Sequence, residues 1–229
     1  MDDPTSQNSR GGCFSKLAFL FLITAIAGFT VVLYHVAQPQ DLSDLERVDP
    51  GAPVGRDLNV VLKNAIDRGY PVTLSEAEIN QWLARTLVTK QGGLFEDTIT
   101  LDRVWIRLTE GGAEVVMQRS FWGRPFTTSM YVQIERMEGP DGVGTEIRLH
   151  GDPFHDDWPR PPRGGRLGQL VVPQGFLLLV MPSYQKLAAV FPREIKLAFQ
   201  EMARVEIQKG KLVLDPREPL GDPAAPLAF

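Results

Sequence analysis

The sequence predicts an α+β protein: an N-terminal transmembrane helix, then a curved antiparallel β-meander packed against several helices. Three observations predict it. Residues 17–36 form an apolar run without a full charge. Four later segments alternate apolar and polar side chains with period two and are joined by short glycine-containing links. The segments flanking them carry apolar residues at helical spacing behind capping residues.

The apolar run from Leu17 to Val36 is about 20 residues long, enough at ~1.5 Å rise per residue to cross ~30 Å of hydrocarbon. Arg10 and Lys16 precede it, and Asp41, Asp44 and Glu46 follow. The positive-inside rule therefore puts residues 1–16 in the cytoplasm and the rest outside. A cleaved signal peptide has a shorter apolar stretch ending in a small-x-small site. Here the run ends in Tyr34-His-Val-Ala-Gln-Pro-Gln40, with His35 where a small residue should stand, so the expectation is an uncleaved single-pass signal anchor. Residues 37–56, with three prolines, read as a linker, 57–215 as the extracytoplasmic α+β domain, and 216–229, with four prolines, as a loose tail.

Bulk composition narrows the classes. The chain has 229 residues, 43% hydrophobic and 23% charged, the proportions of a folded protein with a core of its own. Its net charge of −4 and its lack of Lys/Arg clusters give no footprint for nucleic acid. The single cysteine, Cys13, excludes an intrachain disulfide and a cysteine zinc site.

Within the domain, Asp57 is placed to cap a helix whose apolar positions are Leu58, Val61, Leu62, Ala65 and Ile66, stopped by Gly69. A second helix starts at Ser75. Its Ser-Glu-Ala-Glu opening is a capping box in which the Ser75 hydroxyl and the Glu78 carboxylate each satisfy an exposed amide. Ile79, Trp82, Leu83 and Leu87 form its apolar stripe. Strands follow over 98–108, 113–121, 125–135 and 143–150, a pattern of hairpins. In the third, Phe126, Thr128, Met130, Val132 and Ile134 share one face, and Thr127, Ser129, Tyr131, Gln133 and Glu135 the polar one. A phase shift at Asp102-Arg103 in the first predicts a bulge. Residues 151–166 read as a Pro/Gly-rich loop, and 175–181 as a buried helical turn or a piece lying in a groove. A helix starting at Pro192 and a hairpin over 205–207 and 212–214 close the domain.

No catalytic constellation stands out, and the expectation is a protein that is not an enzyme. There is no Gly-x-Ser-x-Gly elbow, P-loop or dinucleotide fingerprint, and Gly92-Gly93, Gly111-Gly112 and Gly164-Gly165 read as turns. His150, Asp152, His155, Asp156 and Asp157 are close in sequence, but Gly151 and Pro153 bar a helix and no standard ligand spacing results. They read as a solvated loop, with no metal and no cofactor. Glu76 and Glu78 sit where a helix N-terminus accounts for them. Arg160, Arg163 and Arg166 either face solvent or meet lipid phosphates. The apolar strand residues Trp105, Phe121, Phe126, Met130 and Ile134, with Phe176 and Leu178, allow two readings: ordinary core, or a groove filled by acyl chain.

The anchor, the Val72-to-Asn80 helix start, the meander, the Leu170-Val-Val-Pro173 step into an apolar segment and the closing Arg204-to-Leu214 hairpin together resemble the YpmS-type membrane-anchored envelope proteins. More distantly, over residues 57–215, they are similar to the tubular lipid-binding (TULIP) superfamily. The resemblance implies a lipid-facing groove and no catalysis. Two functions are therefore expected: a tethered lipid-binding domain with membrane lipid as its partner, or an envelope scaffold binding a protein partner.

Overall fold

The computed structural model describes residues 12–45, 56–90, 99–121, 123–139, 142–148, 153–155 and 158–217. It is an α+β structure. Helix α1 (Gly12–Ala37) is apolar and long enough to cross a membrane over Phe14–Ala37. Its side chains from Phe14 to His35 are exposed. Then come α2 (Leu58–Arg68), β1 (Val72–Ser75), α3 (Glu76–Lys90), β2 (Ile99–Thr109), β3 (Gly112–Phe121), β4 (Arg124–Gly139) and β5 (Gly142–Arg148). After these follow β6 (Pro153–His155), β7 (Trp158–Leu167), β8 (Leu170–Pro173), a 3-10 turn (Gln174–Leu179), α4 (Met181–Val190), α5 (Pro192–Ile195), a π turn (Lys196–Gln200), β9 (Arg204–Gln208) and β10 (Lys211–Asp215).

The strands form two antiparallel sheets. The larger has the order β2-β3-β4-β7-β6, with β5 pairing to β4 and β8 to β7; the smaller has the order β1-β10-β9. Consecutive strands β2 to β5 are joined as hairpins, as the short links imply. The register of β2 against β3 shifts between Leu101 and Arg103, the bulge expected from the phase change. Strand β2 is an edge, and α3 closes it. The Asn80 side-chain amide donates to the Ile106 carbonyl at 2.9 Å and its oxygen accepts the Ile106 N–H at 2.7 Å. The Glu76 carboxylate accepts the Leu108 N–H at 2.6 Å. Edge amides that would otherwise template another strand are thus used internally.

Helix ends follow the sequence, with one exception. Asp57 accepts the Asn59 N–H at 2.9 Å, and Gly69 ends α2 at φ 64°. The Ser75 hydroxyl accepts the Glu78 N–H at 3.2 Å. The Glu78 carboxylate, however, does not fold back onto its own helix: it takes a bidentate pair from Arg56 at 2.6 and 2.8 Å. A guanidinium offering two donors outcompetes a single backbone amide for a buried carboxylate.

Residues 38–45 run across the sheet as a strap. The Gln40 N–H donates to Thr127 Oγ1 at 2.9 Å, and Leu42 and Leu45 bury against Trp105 and Val116. Each such leucine contributes about 1.5–3 kcal/mol. At the start of the strap the Gln169 N–H donates to the His35 carbonyl at 3.0 Å. Residues 46–55 lie outside those described.

Three local expectations are corrected. The 151–166 segment is not one loop, because residues 158–167 form β7, paired to β4 and β8. Gly164 and Gly165 are in the middle of that strand, not in a turn. Their lack of a side chain lets other backbone approach: a Cβ on Gly165 would lie 1.8 Å from the Ser129 carbonyl oxygen. The 175–181 segment forms the expected helical turn, of 3-10 type over Gln174–Leu179, but it is not buried as a whole: Leu177 is, while Phe176, Leu178 and Leu179 are exposed. Gly165→Ala should therefore lower stability by about 1–3 kcal/mol through forced separation of β4 and β7. Gly175→Ala, where a Cβ meets nothing within 4 Å, should change it by less than about 0.5 kcal/mol. Thermal unfolding of the two variants side by side checks this.

Candidate functional site: an apolar cavity under the sheet

One face of the larger sheet is apolar by alternation. Val104, Ile106 and Leu108 of β2, Ala113 and Val115 of β3, and Met130, Val132 and Ile134 of β4 all point to it. Opposite stand Leu58 and Leu62 of α2, Trp82 and Leu83 of α3, and Tyr184 and Leu187 of α4, then Phe191, Ala198 and Phe199. The smaller sheet adds Leu74, Ile207, Leu212 and Leu214. These side chains line a half-open cavity of about 340 Å³. That volume lies within the ~300–1,000 Å³ of small-molecule sites.

Polar groups in the wall are few and mostly occupied. The Tyr184 hydroxyl donates to the Val115 carbonyl at 3.2 Å, and burial pushes its pKa up, so it stays a neutral phenol. Trp82 packs on Phe191 with ring centroids 5.5 Å apart. Among the described residues Glu194 is the one charged residue of the wall, and its Oε1 accepts from the Asn59 side-chain amide at 3.0 Å.

The sequence-derived candidates divide. Met130 and Ile134 line the cavity, with the strand phase expected of them. Trp105 is buried on the opposite face of the sheet with Leu42, Leu45 and Val116. The bulge at Asp102 sets the β2 phase so that Val104 and Ile106 face inward and Trp105 outward. Phe126 is half-buried and is not part of the wall. Phe176 and Leu178, 52% and 76% exposed, are outside it as well. The side chain of Phe121 lies outside the described residues. So do the side chains of His150, Asp152, His155, Asp156 and Asp157; among the described residues no group of three or more His, Cys, Asp or Glu is placed to hold a metal ion. The α4 contribution escapes the sequence reading, although Tyr184, Leu187, Ala188 and Phe191 recur at helical spacing between Pro182 and Pro192 and could have shown it.

The other face of the sheet holds a buried charge cluster. Glu114 of β3 is 2% exposed. It accepts a hydrogen bond from the Ser129 hydroxyl at 2.5 Å and another from Arg107, with Arg166 Nε at 3.9 Å. Arg107 also grips Asp44 of the strap in bidentate fashion at 2.9 and 3.0 Å. Burial works against the charge on Arg107, but Asp44 and Glu114 outweigh it and raise its pKa. Arg166 Nε donates to the Tyr131 hydroxyl at 3.1 Å. Each cation here is matched to an acceptor within the fold, so the cluster is occupied in holding the strap.

The chain matches no protein-family model, and no curated protein matches it in sequence.

The strap contact has a pH signature. The hydrogen bond from Arg107 holds the Asp44 carboxyl below its ordinary pKa of 3.8, with burial opposing. A lowered folded-state pKa means a stabilising contribution present above the unfolded value and lost as the pH falls through the folded one. The melting-temperature difference between the parent and Asp44→Asn should therefore be present at neutral pH and close as the pH is taken below 3.8. A difference independent of pH would show that Asp44 acts through something other than its charge.

Proposed function

We propose that this protein is a membrane-anchored, extracytoplasmic lipid-binding domain, non-enzymatic, holding one hydrocarbon chain between its sheet and its helices. In this reading α1 is an uncleaved anchor, residues 1–16 lie in the cytoplasm, and the sheet curves around the cavity with the helices packed against it. The observation that carries it is the cavity wall, apolar in all but a few side chains. The wall presents apolar surface that the protein itself leaves unmatched, and covering it with a ligand gains ~25 cal/mol per Å². Water gains few partners from such walls. A hydrocarbon chain makes the missing contacts at no polar cost. The resemblance to YpmS-type and tubular lipid-binding proteins points the same way. The second reading, an envelope scaffold for a protein partner, draws on the exposed apolar side chains of Phe176, Leu178 and Leu179.

A side chain grown into the cavity discriminates between them. Ala113→Phe, and Ala188→Phe at a more exposed wall position, should weaken binding of a fluorescent long-chain probe by at least about tenfold, about 1.4 kcal/mol. Melting temperature should be kept or raised, because a void is being filled. Unchanged probe binding in both folded variants would overturn the lipid reading.

A further inference from the structure

Among the described side chains of β2, β3 and β4, the cavity side of the sheet carries two charged residues: Arg124, exposed at the start of β4, and Arg119. Ala113 and Val115 of β3 line the cavity, Met117 continues their row as buried core, and Arg119 is next on the same face by alternation. Its register partners are Leu101 on β2 and Phe126 on β4. Tyr184, a wall residue, is close enough for its hydroxyl to interact electrostatically with the guanidinium. Arg119 Nε is buried without a hydrogen-bond partner, and among the described residues no carboxylate pairs with Arg119. By contrast, Arg56, Arg107 and Arg217 are all paired. A buried donor on a cation left unmatched is costly and calls for an acceptor.

We propose that Arg119 anchors the head group of the bound ligand, which is a single-chain amphiphile whose head carries anionic oxygens, a carboxylate or a phosphate. This rests on the lipid-binding reading above. The chain lies along the apolar wall, and the head lies past Met117, where guanidinium geometry suits two oxygens of one anion. Glu194, on the helix side and bonded to Asn59 of α2, is a wall carboxylate that repels an anion. Burial lowers the pKa of Arg119, but a guanidinium remains charged at any physiological pH.

Dodecanoic acid, dodecyl phosphate and dodecanol test this on the full chain in nonionic detergent at pH 8, each displacing the fluorescent chain probe. The parent should bind the acid, the phosphate or both about tenfold or more tightly than the alcohol, the effect of one charge-assisted hydrogen bond. Which of the two it prefers tells a fatty acid from a phosphate head. Arg119→Met should abolish that preference, while Arg119→Lys retains part of it. Equal binding of all three to the parent, or a preference surviving in Arg119→Met, would overturn the head-group role while leaving the cavity reading intact. Failure of all three to bind would overturn both.

Discussion

Burial of the Glu114 carboxylate is the constraint around which the rest of the molecule is arranged. A carboxylate at 2% exposure in the middle of a sheet must be paired, since breaking such a pair costs about 3–5 kcal/mol. Ser129 on the neighbouring strand and Arg107 across β2 supply the pairing. Arg107, itself drawn out of water, needs a second acceptor, and Asp44 provides it from the strap. The strap in turn is the direct continuation of α1. One buried charge therefore fixes the path of the chain from the apolar helix onto the sheet. It also seats Leu42 and Leu45 over Trp105 and Val116.

Closing one face of the sheet in this way determines what is left for the other. The strap covers the polar face of β4, where Thr127 and Ser129 are 1% and 0% exposed. The apolar face then has to be covered by helices and by the smaller sheet. These meet it at the edges: α3 is hydrogen-bonded to β2 through Asn80 and Glu76, and the Gly210 N–H donates to the Leu108 carbonyl at 3.1 Å. Held apart at those edges, the layers leave the cavity at the centre, walled by large side chains that do not collapse into it. The strap and the cavity thereby occupy opposite faces of the same strands.

Much of this was legible in the sequence because it is local. The apolar run of α1, the Asp57 cap, the glycine stop at Gly69, the bulge at Asp102 and the phase of β4 are all set by residues close in sequence. What was not legible is set by contacts across long separations. The polar face of β4 is buried in the fold, with Gln40 of the strap on Thr127 and Glu114 on Ser129. Gly164 and Gly165 read as a turn because glycine favours turns. Their role here is to admit the backbone of Ser129 and Gln174 and the side chain of Leu177 at close range, which no window of sequence reveals. Trp105 reads as a groove residue by composition, but the bulge turns it to the strap. Arg119 carries no local signal at all: its interest comes from the apolar face on which the register places it.

The central claim is that the cavity holds a hydrocarbon chain, and native mass spectrometry of the full chain, released from mild detergent after extraction from membranes, tests it most directly. The account predicts the 25.5 kDa chain carrying one single-chain lipid in 1:1 stoichiometry. Protein at the bare chain mass, or joined instead to a stoichiometric protein partner with no lipid, would contradict it.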